Sequence, residues 1–239
     1  MKTLTIRHTA AAVGAVLAVL AMSACGSNDD NDQTPVPAPA RYTVTLTNLT
    51  ANQPLAPAAV ILHDGGYAAW RIGQPASAGL EVLAESGNPA DLNAEADADA
   101  TVIASAAGAG VLGPGASGDV TLEGVVGATA ELEVAAMLVN TNDAWAGTSG
   151  LDLGSLQVGD TLTVALAPYD AGTELNGETA GTVPGPAGGG EGFNPSDGEG
   201  FVAVHPGVVT AAEGLADSAL GESHRFQSPV ARVRVVRIQ

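Results

Sequence analysis

The chain has 239 residues, with 26 acidic residues against 8 Lys and Arg and a formal net charge of −18 at pH 7. So large an excess of negative charge disfavours nucleic acid and anionic lipid as partners, whereas it favours solubility and attracts divalent cations. Beyond the N-terminal segment, about 200 residues remain, enough for one domain with a real core. Ala, Val and Leu must supply most of that core, because aromatic residues make up only 3% of the chain.

Residues 1–24 have the pattern of a bacterial lipoprotein signal peptide. Lys2 and Arg7 precede an apolar run, 9–21, that is too short for a stable membrane span. Small residues in "LAMSAC" lead into Cys25, the only cysteine of the chain. We therefore expect the Cys25 thiol to carry lipid and to attach the protein to a membrane. Ordinary secretory cleavage that leaves a free thiol is the alternative, and no disulfide can form within the chain.

Residues 25–40 are predicted to be the lipidated Cys25 and a tether. The segment "NDDNDQTPVPAPA" is acidic and proline-rich and has nothing to bury. The folded domain is predicted to span residues 41–239. Gly26, rather than an Asp, follows the cysteine, which favours the outer membrane of a Gram-negative cell envelope. The lipoprotein would then face either the periplasm or the outside.

The folded part is predicted to begin with two strands and a helical insertion. "RYTVTLTNLT" alternates apolar residues with threonines, which is typical of a half-buried strand, and "PAAVILHDGG" is a second apolar run that stops at a turn. "SAGLEVLAESG" has Leu80 and Leu83 on one helical face, with Ser77 as the predicted N-cap. "NPADLNAEADAD" is predicted to be a second short helix, capped by Asn88.

The rest of the chain alternates strand patterns with glycine-rich turns. Many short strands and one helical insertion predict an all-β fold, an antiparallel β-sandwich. The last strand, "PVARVRVVRIQ", places Arg232 and Arg234 on one face, for which a solvated face that offsets nearby carboxylates is simpler than an anion site. The further predicted strands are 100–105, 118–124, 130–139, 160–167, 200–204 and 229–238.

Patterns for catalysis are weak. The chain has no G-x-S-x-G and no H-E-x-x-H motif. His63 and His205 stand singly at the ends of predicted strands, where packing or a loop hydrogen bond explains them most simply. Two alternatives to a binding module stay open. One is a hydrolase that uses His63 with Asp64, or His205, and a metal-bound water; the other is a purely structural envelope lipoprotein.

Acidic residues near the ends of apolar strands indicate a calcium site. Asp143 follows "ELEVAAMLV" and Asp170 follows "DTLTVALA", so both side chains reach one end of the fold if the two strands run alike. Glu174 can fold back toward Asp170 across the bend in "PYDAGTEL". Carboxylates this close repel one another unless a cation lies among them, and Ca²⁺ takes carboxylate and loop-carbonyl oxygens. A solvated acidic rim is the alternative.

Five segments in order resemble the spondin N-terminal domain family, which F-spondin, mindin and many bacterial lipoproteins contain. The resemblance covers roughly residues 41–238. The middle motif of animal members reads close to S-P-S-P-D-W; Asp143 matches its Asp, and Trp145 is displaced by one position. Their Y-D-A-G-T-D motif is matched by 169–174, with Glu174 for the final Asp. The five segments are "YTVTLTNLTANQPLAP", "HDGGYAAWRIGQPAS" with the helix "LEVLAESG", "MLVNTNDAWAG", "PYDAGTELN" and "SPVARVRV".

The resemblance implies a C2-like β-sandwich without enzymatic activity that binds one Ca²⁺ through Asp143, Asp170 and Glu174. The disulfides of the animal proteins cannot form in a chain with one cysteine, so their matrix partners do not transfer. We therefore predict a calcium-binding, lipid-anchored module for binding or adhesion in the bacterial cell envelope. It would be attached to the membrane through Cys25 and would take a protein or glycan as its ligand.

Overall fold

The computed structural model describes residues 38–194 and 198–239. The predicted signal peptide, Cys25 and all of the tether before residue 38 lie outside the described residues. Two helices, α1 (Ala78–Ser86) and α2 (Ala90–Asp97), interrupt a series of strands. The strands are β1 (Ala40–Asn48), β2 (Ala59–His63), β3 (Val102–Ala107), β4 (Ser117–Gly124), β5 (Glu131–Met137), β6 (Ala144–Asp152), β7 (Thr161–Asp170), β8 (Ala203–Val204) and β9 (Ala231–Arg237).

All strand pairs are antiparallel, and their order is β3-β2-β5-β6-β7-β9-β1-β4, with β8 added beside β7. Strand β7 belongs to both layers, because residues 161–166 pair with β9 and residues 167–170 pair with β6. The sheet therefore folds over at β7 into a nearly closed sandwich. The predicted all-β antiparallel sandwich with a short helical insertion is confirmed.

The main core lies between the two layers. The alternation in β1 buries Tyr42, Val44 and Leu46 and leaves the threonines between them half-buried, as the sequence pattern predicts. Val233 and Val235 of β9 point into the same core, while Arg232 and Arg234 are exposed on the other face. Burial of apolar side chains from both layers is the main source of stability of such a fold.

A second, smaller core covers the outer face of the layer that contains β2, β5 and β6. There Trp70, Trp145 and Tyr169 pack against one another with ring centroids 5.5–5.6 Å apart, next to buried Leu80 and Leu83 of α1. The helices therefore fix one face of the strands whose ends carry the acidic residues considered below. Among the described residues, no helix has the length and apolar character needed to cross a membrane.

The helix caps agree with the sequence in one case and differ in the other. The Ser77 hydroxyl accepts a hydrogen bond from the Leu80 amide at 3.2 Å, so the predicted N-cap of α1 is confirmed. The N-cap of α2 is Pro89, and the prediction of Asn88 in that position is wrong by one residue. Asn88 nevertheless accepts from the Ala90 amide at 3.1 Å, which satisfies a free donor at the helix start.

Strand β6 was not predicted from the sequence, and β7 is longer than predicted. The second half of β6 belongs to "TSGLDLGSLQVGD", a glycine-rich segment predicted to be a turn, but β6 pairs with β5 along most of its length. Gly147 is one of the glycines that hide the strand pattern, and it makes room for a ring: a Cβ there would lie 2.8 Å from the Trp70 ring. Strand β7 continues through Asp170 rather than ending at residue 167, so Asp170 is the last residue of the strand.

Candidate metal-binding site

Asp143 and Asp170 meet because antiparallel strands place them side by side. Asp143 immediately precedes β6, Asp170 ends β7, and Ala144 is the register partner of Asp170. The Ala171 amide also donates to the Asp143 carbonyl at 3.2 Å. Strand β5, which Asp143 follows, and strand β7 are both antiparallel to β6 and so run in the same direction, as predicted, and the predicted proximity is observed.

The Asp143 carboxylate is fully buried, and its two oxygens have different surroundings. Oδ2 accepts from the amides of Thr173 and Glu174, at 2.9 and 3.1 Å, and from the Thr173 hydroxyl at 3.3 Å. Oδ1 is buried and has no hydrogen-bond partner among the described residues. Burial, followed by the nearby Asp170 carboxylate, raises the pKa of Asp143 to about 7, although the donors to Oδ2 oppose that rise.

Asp170 is held by the turn that follows it. Its Oδ1 accepts from the Gly172 amide at 2.8 Å, and its Oδ2 accepts from the Asn176 side chain at 2.9 Å. Gly172 has φ +66°, and a Cβ there would lie 2.4 Å from the Phe201 carbonyl oxygen, so only glycine fits the turn. The bend therefore fixes the Asp170 side chain beside Asp143 and leaves only 5% of Asp170 exposed.

Glu174 lies among other carboxylates and is almost completely buried. Burial raises the pKa of Glu174 to about 7, and the carboxylates of Glu85, Asp143 and Glu191 add to the rise in that order. Glu85 was not predicted as a site residue. Its side chain is buried in α1 and accepts from the Asn194 amide at 2.9 Å. Burial likewise raises the pKa of Glu85.

We call Glu85, Asp143, Asp170 and Glu174 the acidic cluster. No arginine forms an ion pair with any of its members within the described residues. No sequence signal identifies Glu85, because its burial depends on the loop around Asn194, which lies more than 100 residues away in the chain.

The acidic cluster offers only oxygen donors, the chemistry that Ca²⁺ prefers. The unpartnered Asp143 Oδ1 fits a cation, and an opening of about 180 Å³ beside Asp170 is also lined by Glu199 and Phe201. In the part of the chain that the structure describes, however, no three His, Cys, Asp or Glu side chains converge as a set that could hold a metal ion. Binding would therefore require side chains to reorient, first of all Asn176, which occupies Asp170 Oδ2.

The two histidines of the hydrolase alternative serve as turn residues. Nδ1 of His63 accepts from the Gly65 amide at 3.1 Å, and Nδ1 of His205 accepts from the Gly207 amide at 2.9 Å. His63 is fully buried beside Glu133, whereas the adjacent Asp64 is exposed, so the two do not form a solvent-accessible pair. Burial lowers the pKa of His205, against the influence of Asp170.

Comparison with known proteins identifies a family. A family model described as Spondin_N matches residues 52–182, which is more than half of the chain and includes Asp143, Asp170 and Glu174. No curated protein matches the chain.

Proposed function

Because the chain belongs to the spondin N-terminal domain family, whose members are extracellular binding or adhesion modules, we propose that it is a calcium-binding, lipid-anchored adhesion module of the bacterial cell envelope. The family is non-enzymatic, which agrees with the turn roles of His63 and His205. The ligand of the module would be a protein or a glycan.

The observation that supports calcium most directly is the burial of Asp143 Oδ1 without a hydrogen-bond donor among the described residues. A fully buried carboxylate oxygen without a donor is costly, and here the nearest charged groups are other carboxylates. A bound cation would remove both costs at once. Asp143 and Asp170 would be the primary ligands, and Glu174 would complete the set after a change of its side-chain rotamer. When bound, the ion would supply positive charge that fixes the loop after β7 against the start of β6.

A calcium titration followed by thermal unfolding tests this site. At 100 times its Kd, a ligand stabilises a protein by about 2.7 kcal/mol, which corresponds to a rise in Tm of about 5–10 °C for a domain of this size. We expect this rise in the wild type and its loss in Asp143→Asn and Asp170→Asn. The exposed Glu123→Gln variant is the matched control and should keep the full rise. A wild-type Tm that does not respond to calcium would refute the metal site.

The proposed lipid anchor has a separate test. Cells that express the full chain are labelled with a radioactive or clickable fatty acid, and the envelope is fractionated. The wild type should carry the label and sediment with the membrane, and Cys25→Ser should lose both properties. Asn28→Ser is a suitable control in the same segment. Equal labelling of wild type and Cys25→Ser would show that the anchor is not at Cys25.

A further inference from the structure

The sandwich has a seam between its two end strands, β3 and β4. At one end of the seam the strands approach closely, since a Cβ on Gly124 would lie 2.2 Å from the Ile103 side chain. Toward the other end the chain leaves β3 and crosses to β4 through residues 108–116. Backbone hydrogen bonds hold this crossing against the chain before β2. The Gly108 amide donates to the Ala58 carbonyl at 2.8 Å, and Leu112 exchanges two backbone hydrogen bonds with Leu55.

A cavity of about 330 Å³, here called the seam cavity, lies beneath this crossing. Its floor is formed by inward-facing side chains of β1 and of the chain around β2: Val44 and Val60 are each 1% exposed, Ala58 4% and Leu46 5%. These side chains are thus shielded from solvent, and yet they border unfilled space. The exposed segment 109–111 forms the rim.

The seam cavity is open to solvent at its rim, so it is a pocket rather than an enclosed void. The small side chain of Ala58 leaves space in it, whereas a Cβ on Gly108 would lie 2.9 Å from the Ala58 amide nitrogen and one on Gly118 would lie 3.1 Å from the Leu112 side chain. Apolar cavities of about 150 Å³ already stay dry and take up small apolar molecules. The seam cavity is about twice that size and reaches the lower end of the range of small-molecule pockets, about 300–1,000 Å³.

We propose that the seam cavity binds a small uncharged apolar molecule, such as a medium-length alkyl chain with a neutral head group. Among the residues that the structure describes, no cationic side chain lines the cavity, and its polar side chains, Ser117 and Asp119, are exposed at the rim. A carboxylate head group would therefore find no partner and would be repelled by a chain with net charge −18. The apolar body of the ligand would contact Val44, Leu46 and Val60, while its head stays in water.

Binding can be measured on the wild type, using the purified full chain exchanged into detergent-free buffer. The neutral fluorescent probe N-phenyl-1-naphthylamine should bind saturably at one site per chain, and 1-decanol should displace it at least 10-fold more effectively than decanoate. Saturating decanol should also raise the Tm by a few degrees. Absence of saturable binding would overturn the proposal, and displacement by decanoate equal to that by decanol would overturn the uncharged class of ligand.

Two matched substitutions test the location. Ala58→Leu places a larger side chain into the seam cavity, so probe binding should fall at least 10-fold while the Tm is unchanged or higher. Ala136→Leu is the control, because Ala136 is equally buried in the same core but does not line the cavity. It should lower the Tm through overpacking and, below its Tm, keep probe binding. Unchanged probe affinity in a folded Ala58→Leu variant would place the binding site elsewhere.

Discussion

Buried carboxylates occur in two regions of this fold, and the groups around them differ. In the acidic cluster, the charged neighbours of Asp143 and Glu174 are other carboxylates. At the other end of β5, Glu133 is equally buried, and its Oε2 also has no hydrogen-bond partner among the described residues. Its Oε1 accepts from the Ser149 hydroxyl at 2.9 Å and the Gly150 amide at 3.2 Å, and Nε2 of His63 lies 3.5 Å away.

The His63 ring places its N–H on the side of Glu133. Its Nδ1 accepts a hydrogen bond from the Gly65 amide, so the proton of the neutral ring is on Nε2, which faces Glu133. Glu133 and Asp143 thus each have one oxygen with donors and one without, and the difference lies in their neighbours: a histidine ring lies beside Glu133, whereas the acidic cluster concentrates charge of one sign. The Glu133 region is therefore expected to be structural and independent of ions, and the acidic cluster to respond to cations.

The largest expected effect on stability comes from removing the Glu133 carboxylate. Glu133→Ala removes the acceptor of the Ser149 hydroxyl and of the Gly150 amide. Hydrogen bonds to a charged group contribute about 1.5–3 kcal/mol each, and water can reach these two exposed donors, so the free energy of unfolding should fall by about 3 kcal/mol. Urea denaturation with and without calcium measures this. Glu133→Gln keeps one acceptor oxygen and should lose less stability. If calcium restored the stability of Glu133→Ala, the expectation that the Glu133 region is independent of ions would be contradicted.

Glu178 separates the effect of burial from that of repulsion between carboxylates. It is 2% exposed, one oxygen accepts from the Val209 amide at 3.2 Å, and burial raises the pKa of Glu178 to about 7. Since the folded state binds this proton more tightly than the unfolded state, its stabilising effect is present below pH 4.5 and is lost as the pH rises through 7.

The corresponding experiment compares wild type and Glu178→Gln by urea denaturation at pH 5 and pH 8 in EDTA. The wild type should lose about 2 kcal/mol more than the variant over this interval, because one pKa unit corresponds to 1.36 kcal/mol and partial solvation reduces the full effect. Calcium should leave this difference unchanged. Identical pH dependence of the two proteins would show that Glu178 does not titrate in this range.

Asp143→Asn should have a smaller effect of opposite sign in the absence of calcium. The substitution keeps an oxygen for the Thr173 and Glu174 amides and removes a buried negative charge beside Asp170. At pH 8 in EDTA the variant should therefore be more stable than the wild type by about 1 kcal/mol. Saturating calcium should reverse the order. A variant that is less stable than the wild type in EDTA would show that the charge is already compensated within the chain.

The smallest effect is expected for an exposed ion pair. Arg41 and Glu123 pair across β1 and β4, and each side chain is 42% exposed. Exposed pairs contribute at most about 1 kcal/mol, so Arg41→Gln should change the free energy of unfolding by about 0.5 kcal/mol, and less at high salt. A change of 2 kcal/mol or more would mean that an exposed ion pair contributes as much to the free energy of unfolding as a buried charge does in this protein.

The sequence was sufficient for the elements whose burial is decided locally. Alternation identified β1, and the Ser77 cap with its apolar helical face identified α1. Strand β6 was missed because its pattern is set by neighbours: Gly147 is glycine to make room for the Trp70 ring, which a local pattern cannot reveal. Glu85 was missed for the same reason, since a distant loop buries it. The proximity of Asp143 and Asp170 was predicted from the directions of the strands that precede them, and the missed strand β6, which pairs with both β5 and β7, is what brings the two residues together.

Strand register also determines which end of the molecule carries the acidic cluster. Tyr42, near the start of β1, pairs with Arg237, and Val236 pairs in turn with Thr161, the first residue of β7. From Thr161, β7 runs nine residues to Asp170, which spans about 30 Å at 3.3 Å per residue. Strand β1 thus begins at one end of the sandwich, and the buried acidic cluster lies at the other. A domain attached through its N-terminal side would therefore carry the acidic cluster at the end away from that attachment.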